Sequence, residues 1–475
     1  MLASRIGTVD TPGALALLDR VAAAANRPVD GASAAVFRAI FGALAFLGVV
    51  RFFAYGWIDE FYVRPEHHFH YQGFGWVSPW PAAGMYVHFA VMGAAALAVA
   101  VGYRYRLAIV VYFLAFTYAE LLDATTYLNH YYWVTLTAGL MIWMPLHRVG
   151  SVDLAQGRVE GNGTVPLWVI TMLRAQLAVV YLFAGLAKLN LDWLLHAEPL
   201  RIWLANHQEL PILGALLATD AAAFALSWAG AAFDCTIVAW LLWGRSRPVA
   251  YAVVIGFHVM TWILFPIGTF PWLMIGGTLI FFAPGWPRTV ASRILMLREF
   301  ASSPALPRST SRAAMSRLAL VAVAAFALAQ VAIPLRHYAY PGDVRWNENG
   351  YYFSWRVMLS EKAGFTQFRV VDPATGATWI VSPDDYYTEL QVRVMSGQPD
   401  LVLQAAHTVR DDFRARGYPG IEVYAESFVA FNGRPAAQLI DPDVDLGSVA
   451  RRPGAQPWVE PMPPRAGTDT EAAAR

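Results

Sequence analysis

Long apolar stretches recur from Val36 to Leu335, and they constrain the fold more than any other feature. An α-helix rises about 1.5 Å per residue and the hydrocarbon of a bilayer is about 30 Å thick, so a span needs roughly 17 to 25 apolar residues. By that rule the candidates are Val36 to Tyr55, Gly84 to Gly102, Leu107 to Leu122, Tyr131 to Leu146, Pro166 to Ala187, Ala222 to Trp243, Val249 to Leu264, Phe270 to Phe282 and Leu318 to Leu335. About nine transmembrane helices are predicted. Pro266 and Gly268 separate the seventh from the eighth, which leaves a re-entrant pair as an alternative there. Charged residues make up only 15% of the chain and mean hydropathy is +0.40. Soluble chains carry about 25% charged residues, so most of this protein belongs in lipid.

Four segments follow from the composition: an N-terminal segment 1–35, a membrane domain 36–335, a C-terminal domain 336–450 and a tail 451–475. The fold class is a polytopic α-helical membrane protein with a small α+β domain outside the membrane. Short loops rich in Arg stay on the cytoplasmic side. Loops carrying Arg104 and Arg106, Arg148 and Arg158, Arg245 and Arg247, then Arg288, Arg293, Arg298, Arg308, Arg312 and Arg317 alternate with basic-poor ones. An odd number of spans puts these arginines with a cytoplasmic N-terminus and places the C-terminal domain on the opposite, non-cytoplasmic face. For a bacterial source, to which the Ala and Arg usage points, that face is periplasmic or extracellular. Residues 1–35 lack the apolar core of a signal peptide, so targeting is expected from the first span. Beyond Arg336, strands are predicted at Phe365 to Val371 and Thr378 to Val381, and helices at Asp385 to Val394 and Leu401 to Arg416. A hairpin turns at Asn432 and Gly433 between Ile421 to Phe431 and Ala436 to Ile440. The tail, rich in Pro, Ala, Gly and charge, is expected to be disordered.

Net charge is +1, so nothing draws the chain toward nucleic acid. Cys235 is the lone cysteine, which excludes an intrachain disulfide. No phosphate-binding glycine loop, paired-cysteine metal site or nucleophile elbow is present. His67, His68 and His70 cluster in the first non-cytoplasmic loop without the carboxylates or thiols of a metal set, and no metal is expected. Ionisable side chains at membrane depth are costly and therefore functional candidates. Lys188 closes the apolar run Leu177 to Ala187. It is either an interfacial lysine snorkelling to headgroups or a desolvated amine able to take a proton. His130, after Asn129, opens the fourth predicted span on the same face as Lys188. Asp123 lies near enough to orient a histidine or to cap a helix. His258 sits within the seventh span, as a pocket residue or a satisfied core histidine. Arg174 and Gln176 begin the fifth span, where a salt bridge or backbone contact is the expected role.

The run Ala184-Gly185-Leu186-Ala187-Lys188-Leu189-Asn190-Leu191-Asp192-Trp193 resembles the stretch holding the essential lysine of the vitamin K-dependent gamma-glutamyl carboxylases. Pro166-Leu167-Trp168, Leu173-Arg174, Gln176 and Tyr181 are similar to the same family's helix. Asn129-His130-Tyr131-Tyr132 resembles its segment with an essential histidine, and Phe257-His258-Val259-Met260 a third stretch. In the C-terminal domain, Tyr352-Phe353-Ser354-Trp355 with Met358, and Asp441-Pro442-Asp443-Val444-Asp445, look like family sequence. The resemblance implies gamma-carboxylation of protein glutamate coupled to epoxidation of vitamin K hydroquinone, with O2 and CO2 as co-substrates. It further implies a glutamate-containing protein or peptide as acceptor, membrane lipid around the chain and a quinone reductase to recycle the quinone. Lys188 would be the initiating base and His130 would assist carboxylation. Asn129, His258, Asp123, Tyr181, Arg174 and Gln176 would belong to the pocket. Two departures stand out: Ala187 replaces a second lysine of animal members, and their paired cysteines are absent. The alternatives are an epoxidase without peptide carboxylation, or a non-enzymatic quinone- or lipid-binding membrane protein. A transporter would favour an inverted repeat, and none is found.

Overall fold

A computed structural model describes residues 11–211, 213–294 and 316–465. Arg298, Arg308, Arg312 and the tail beyond Arg465 lie outside the described residues. Among the described residues seven helices are long and apolar enough to cross a membrane. They are Ala32–Ala54, Ala82–Val101, Tyr105–Leu122, Leu167–Lys188, Asp220–Leu242, Arg247–Leu264 and Leu318–Ala339. The chain is an integral membrane protein. Two of the predicted spans form shorter helices. Asn129–Trp143 has 15 residues and stops at Met144, because the residue before Pro145 is driven out of helical geometry. Phe270–Thr278 has 9 residues and continues only as the 3-10 turn Leu279–Phe281. Pro266, and Gly268 with φ +61°, break the chain ahead of it. Both short helices begin at the end of the bundle where Leu167–Lys188 finishes.

The described part of the N-terminal segment, from Thr11, is ordered into a helix and a strand. Helix Thr11–Ala25 leads into β1 (Pro28–Asp30), which pairs antiparallel with β2 (Thr164–Pro166). The Asp30 carboxylate accepts from Arg288 Nε at 3.0 and 3.1 Å and from the Ala32 amide at 2.8 Å, so one side chain fixes the start of the first long helix.

The C-terminal domain is a four-stranded antiparallel sheet in the order β4-β3-β5-β6, with helices Glu389–Met395 and Pro399–Ala415 against it. The central pair, β3 (Lys362–Val371) and β5 (Glu422–Phe431), runs in register from Lys362↔Phe431 to Val371↔Glu422. β4 (Thr378–Val381) and β6 (Arg434–Gln438) flank it, and β6 joins β5 through the Asn432–Gly433 turn. Residues 451–465, expected to be disordered, instead pack against this domain. Trp458 is buried, Val459 bridges to Ile440, and Arg451 grips Asp400 at 2.6 and 2.8 Å. Composition alone misled there, because these contacts come from partners distant in sequence.

The C-terminal domain is fastened to the segment that follows Lys188. Asp192, 2% exposed, accepts from Arg434 at 2.9 and 3.0 Å, from Arg345 at 3.1 Å and from Arg465 at 3.4 Å. Burial pushes its carboxyl up, and the Arg434 and Arg345 guanidiniums more than offset this, holding it below the usual carboxylate range. Farther along, Trp355 packs into the hydrophobic core of the helix bundle against Tyr132, with ring centroids 4.9 Å apart.

A candidate active site around Lys188

Helix Leu167–Lys188 ends because Leu189 leaves helical geometry. Asn190 then caps the next short helix, Leu191–His196, its side-chain oxygen accepting from the Trp193 amide at 3.1 Å. Helical side chains lean back toward the N-terminus, so Lys188 folds along its own helix, with Nζ 3.4 Å from the Ala184 carbonyl. It faces helix Asp220–Leu242 one turn beyond Gly185. A Cβ on Gly185 would fall 2.8 Å from both the backbone nitrogen and Sγ of Cys235, so only glycine permits this helix contact. The close approach lets Nζ donate to Asp234 Oδ2 at 2.8 Å, with both side chains 7% exposed. The Trp193 ring lies 5.2 Å from Nζ and is held by its Nε1 donating to the Ser227 carbonyl at 2.7 Å.

His258 stands beside the pair. Its Nε2 is 3.0 Å from the Tyr181 hydroxyl, while its buried Nδ1 has no partner. Rings of Tyr181, Phe233, Phe257 and Phe270 surround the imidazole at centroid distances of 6.0, 6.1, 5.3 and 5.8 Å. Lys188, Asp234, Tyr181 and His258 converge on one cavity whose remaining wall is largely apolar. Val357 and Met358 close it from the C-terminal domain. Met358, like Phe353 and Trp355, holds a positive φ between 54° and 60°. A non-glycine residue there costs on the order of 1–3 kcal/mol, so the docked loop is held by its surroundings.

His130 lines a different cavity, with Arg51, Tyr131, Thr269 and Leu273. Phe270 divides the two, its ring 5.5 Å from His130 and 5.8 Å from His258. Asn129 ties the start of its helix to the C-terminal domain, donating to the Arg356 carbonyl at 3.1 Å and accepting from Tyr127 at 3.2 Å. Asp123 orients a histidine, but it is His68 at 3.2 Å. Its carboxylate also caps the turn Ala124–Thr126 and accepts from Gln391 at 2.7 Å. Arg174 donates to the carbonyls of Ile280, Phe281 and Phe282 at 2.9 to 3.2 Å, a backbone contact that ends the short helix before them. Gln176 is buried. Neither Asp123, Arg174 nor Gln176 lines the Lys188 cavity.

Two family models match the chain: the HTTM domain over residues 26–286, and the vitamin K-dependent gamma-carboxylase lumenal domain over residues 315–465. The chain belongs to the vitamin K-dependent gamma-carboxylase family. No solved structure matches it. Its function is accordingly of the vitamin K-dependent carboxylase type. The Lys188 cavity fits a lipophilic quinol on chemical grounds: apolar walls for the ring system, and an amine, a carboxylate, a phenol and an unpartnered imidazole nitrogen for its oxygens. Asp234, Phe270, Arg51 and Met358 were not among the sequence candidates. For Asp234 a signal existed, a lone carboxylate inside the apolar span Ala222 to Trp243.

Proposed function

We propose that this protein oxidises vitamin K hydroquinone to its epoxide at the Lys188 cavity and couples that oxidation to gamma-carboxylation of a peptide-bound glutamate. Hydroquinone, O2, CO2 and the glutamate γ C–H become epoxide, water and a second carboxyl on the γ carbon. Reduced vitamin K, with oxygen, supplies both the oxidising power and the strong base that the γ proton requires.

The chain's own groups have narrower tasks. Lys188 and Asp234 form a pair with no net charge, whichever partner holds the shared proton. Accepting the quinol proton leaves that pair cationic, facing the oxyanion just formed, in surroundings where the attraction is poorly screened. The pair, rather than the amine alone, is therefore the initiating base. Tyr181 and the free Nδ1 of His258 orient the quinol oxygens. His130, across Phe270, serves the carboxylation half, and Asn129 fixes the start of its helix. Val357 and Met358 keep water from a strongly basic reaction. The arginine distribution supports a cytoplasmic N-terminus and a C-terminal domain on the opposite face, where a secreted glutamate-containing substrate would be met. A quinone reductase would return the quinone to the quinol.

The observation that carries this reading is a buried Lys–Asp pair in an apolar cavity closed by the C-terminal domain. The decisive experiment supplies purified protein with vitamin K hydroquinone, labelled CO2 and a glutamate-containing peptide. Epoxide together with labelled peptide is expected. The separation of His130 from Lys188 by Phe270 favours a second reading, epoxidation alone, and epoxide without label would select it. Absence of both products would leave a quinone-binding protein and defeat the proposal.

A further inference from the structure

We propose that the cavity between Arg51 and His130 is the subsite for the γ-carboxylate of the acceptor glutamate, with the Arg51 guanidinium as its counter-ion. The inference rests on the carboxylase reading above and assigns its second substrate to a place. Arg51 lies near the end of helix Ala32–Ala54. Among the described residues it makes no ion pair and no hydrogen bond. It is held by the rings of Trp57 and Tyr55, 5.1 and 5.8 Å away, and by the chain at Gly268, where an added Cβ would fall 2.8 Å from Nη1.

Three arginines buried deeper in the membrane domain are engaged. Arg38 donates to the carbonyls of Leu146 and Gly150, Arg174 to Ile280 through Phe282, and Arg288 to Asp30. Asp59, a few residues after Arg51, is bound instead by the Tyr86 hydroxyl at 2.6 Å. The Arg51 guanidinium is part-buried near the end of its helix with no carboxylate beside it among the described residues, so an anion entering this cavity meets a cation that no other group neutralises.

Position identifies that anion. Arg51 and His130 line the same cavity, and Phe270, which lines the Lys188 cavity, has its ring 5.5 Å from the His130 imidazole. The guanidinium fork matches the two oxygens of a carboxylate. A γ-carboxylate bound there would set the γ carbon beside His130, next to the ring behind which quinol chemistry occurs. Removing a proton from a carbon adjacent to a carboxylate builds a second negative charge, which a fixed guanidinium stabilises as it forms.

The test uses the full chain in detergent with vitamin K hydroquinone, O2, labelled CO2 and a short glutamate-containing peptide. Arg51→Gln is expected to raise the half-saturating peptide concentration roughly 10- to 100-fold, the range for a lost charge-assisted hydrogen bond. The half-saturating quinol concentration for epoxide formation should move less than twofold, and Arg51→Lys should fall between wild type and Gln. An unchanged peptide requirement in Arg51→Gln, or an equal rise for quinol, overturns the assignment while leaving the carboxylase reading intact. If Arg51→Gln does not fold, Arg51→Lys decides by the same peptide measurement. Failure of the wild-type chain to label the peptide removes both.

Discussion

The Lys188 amine and the Asp234 carboxylate share a hydrogen bond where almost no water reaches, and this changes what a substitution at either one tests. Lys188→Ala removes the amine and leaves Asp234 buried without its partner, so epoxide formation from vitamin K hydroquinone should disappear; retained epoxidation would end the role of this site. Asp234→Asn is the sharper experiment. It keeps the amine and withdraws the charge that favours ammonium, which would help a base made of amine alone. With the pair as base, epoxidation falls by about 10²-fold, the low end for loss of a general base. His130→Ala should lower labelled CO2 incorporation much more than epoxide formation, read from the product ratio in one reaction. Lys188 was visible in the sequence because it ends an apolar run. Its partner was not, since pairing Asp234 with Lys188 requires knowing which two helices touch, and the glycine that lets them touch carries no charge to attract notice.

Helices and loops set how accurately those groups meet. Gly185→Ala adds one methyl group where 2.8 Å separates its Cβ from the Cys235 backbone. The helices must part or turn, and because a misplacement of about 1 Å can cost 10²-fold, epoxidation should drop by about that factor with little loss of expression. Normal turnover in this variant would mean that the helix spacing is not what brings Lys188 to Asp234. The sheet of the C-terminal domain was largely legible, since alternation and the Asn432–Gly433 turn specify a hairpin without reference to anything distant. The early end of Asn129–Trp143 was not, whereas the break ahead of Phe270–Thr278 was legible in Pro266 and Gly268. Hydropathy counts apolar residues, whereas their ends are set by Pro145 and by the Pro266–Gly268 break, and their burial by neighbouring helices.

Asp192 joins the two halves of the molecule, and its charge state makes that union sensitive to acid. Its folded carboxyl is held below the usual value of about 3.9 by Arg434 and Arg345, despite burial. Its stabilisation is therefore complete at neutral pH and is lost as the pH falls through the folded value. Asp192→Asn should forfeit it at every pH, destabilising the protein by about 3–5 kcal/mol because three guanidiniums lose a buried counter-charge. Thermal unfolding in detergent at pH 7 and near pH 3 checks this: the gap between variant and wild type should narrow in acid, and a gap independent of pH would show that the carboxylate charge is not the link. The loop at Val357 and Met358 gives the same union a different meaning. The two matched families divide the chain between residues 286 and 315, yet the Lys188 cavity draws its walls from both sides of that division. A chimera joining the membrane half of one relative to the other half of another inherits a chamber whose lid was shaped for different walls, and its leak would release spent oxidant without product.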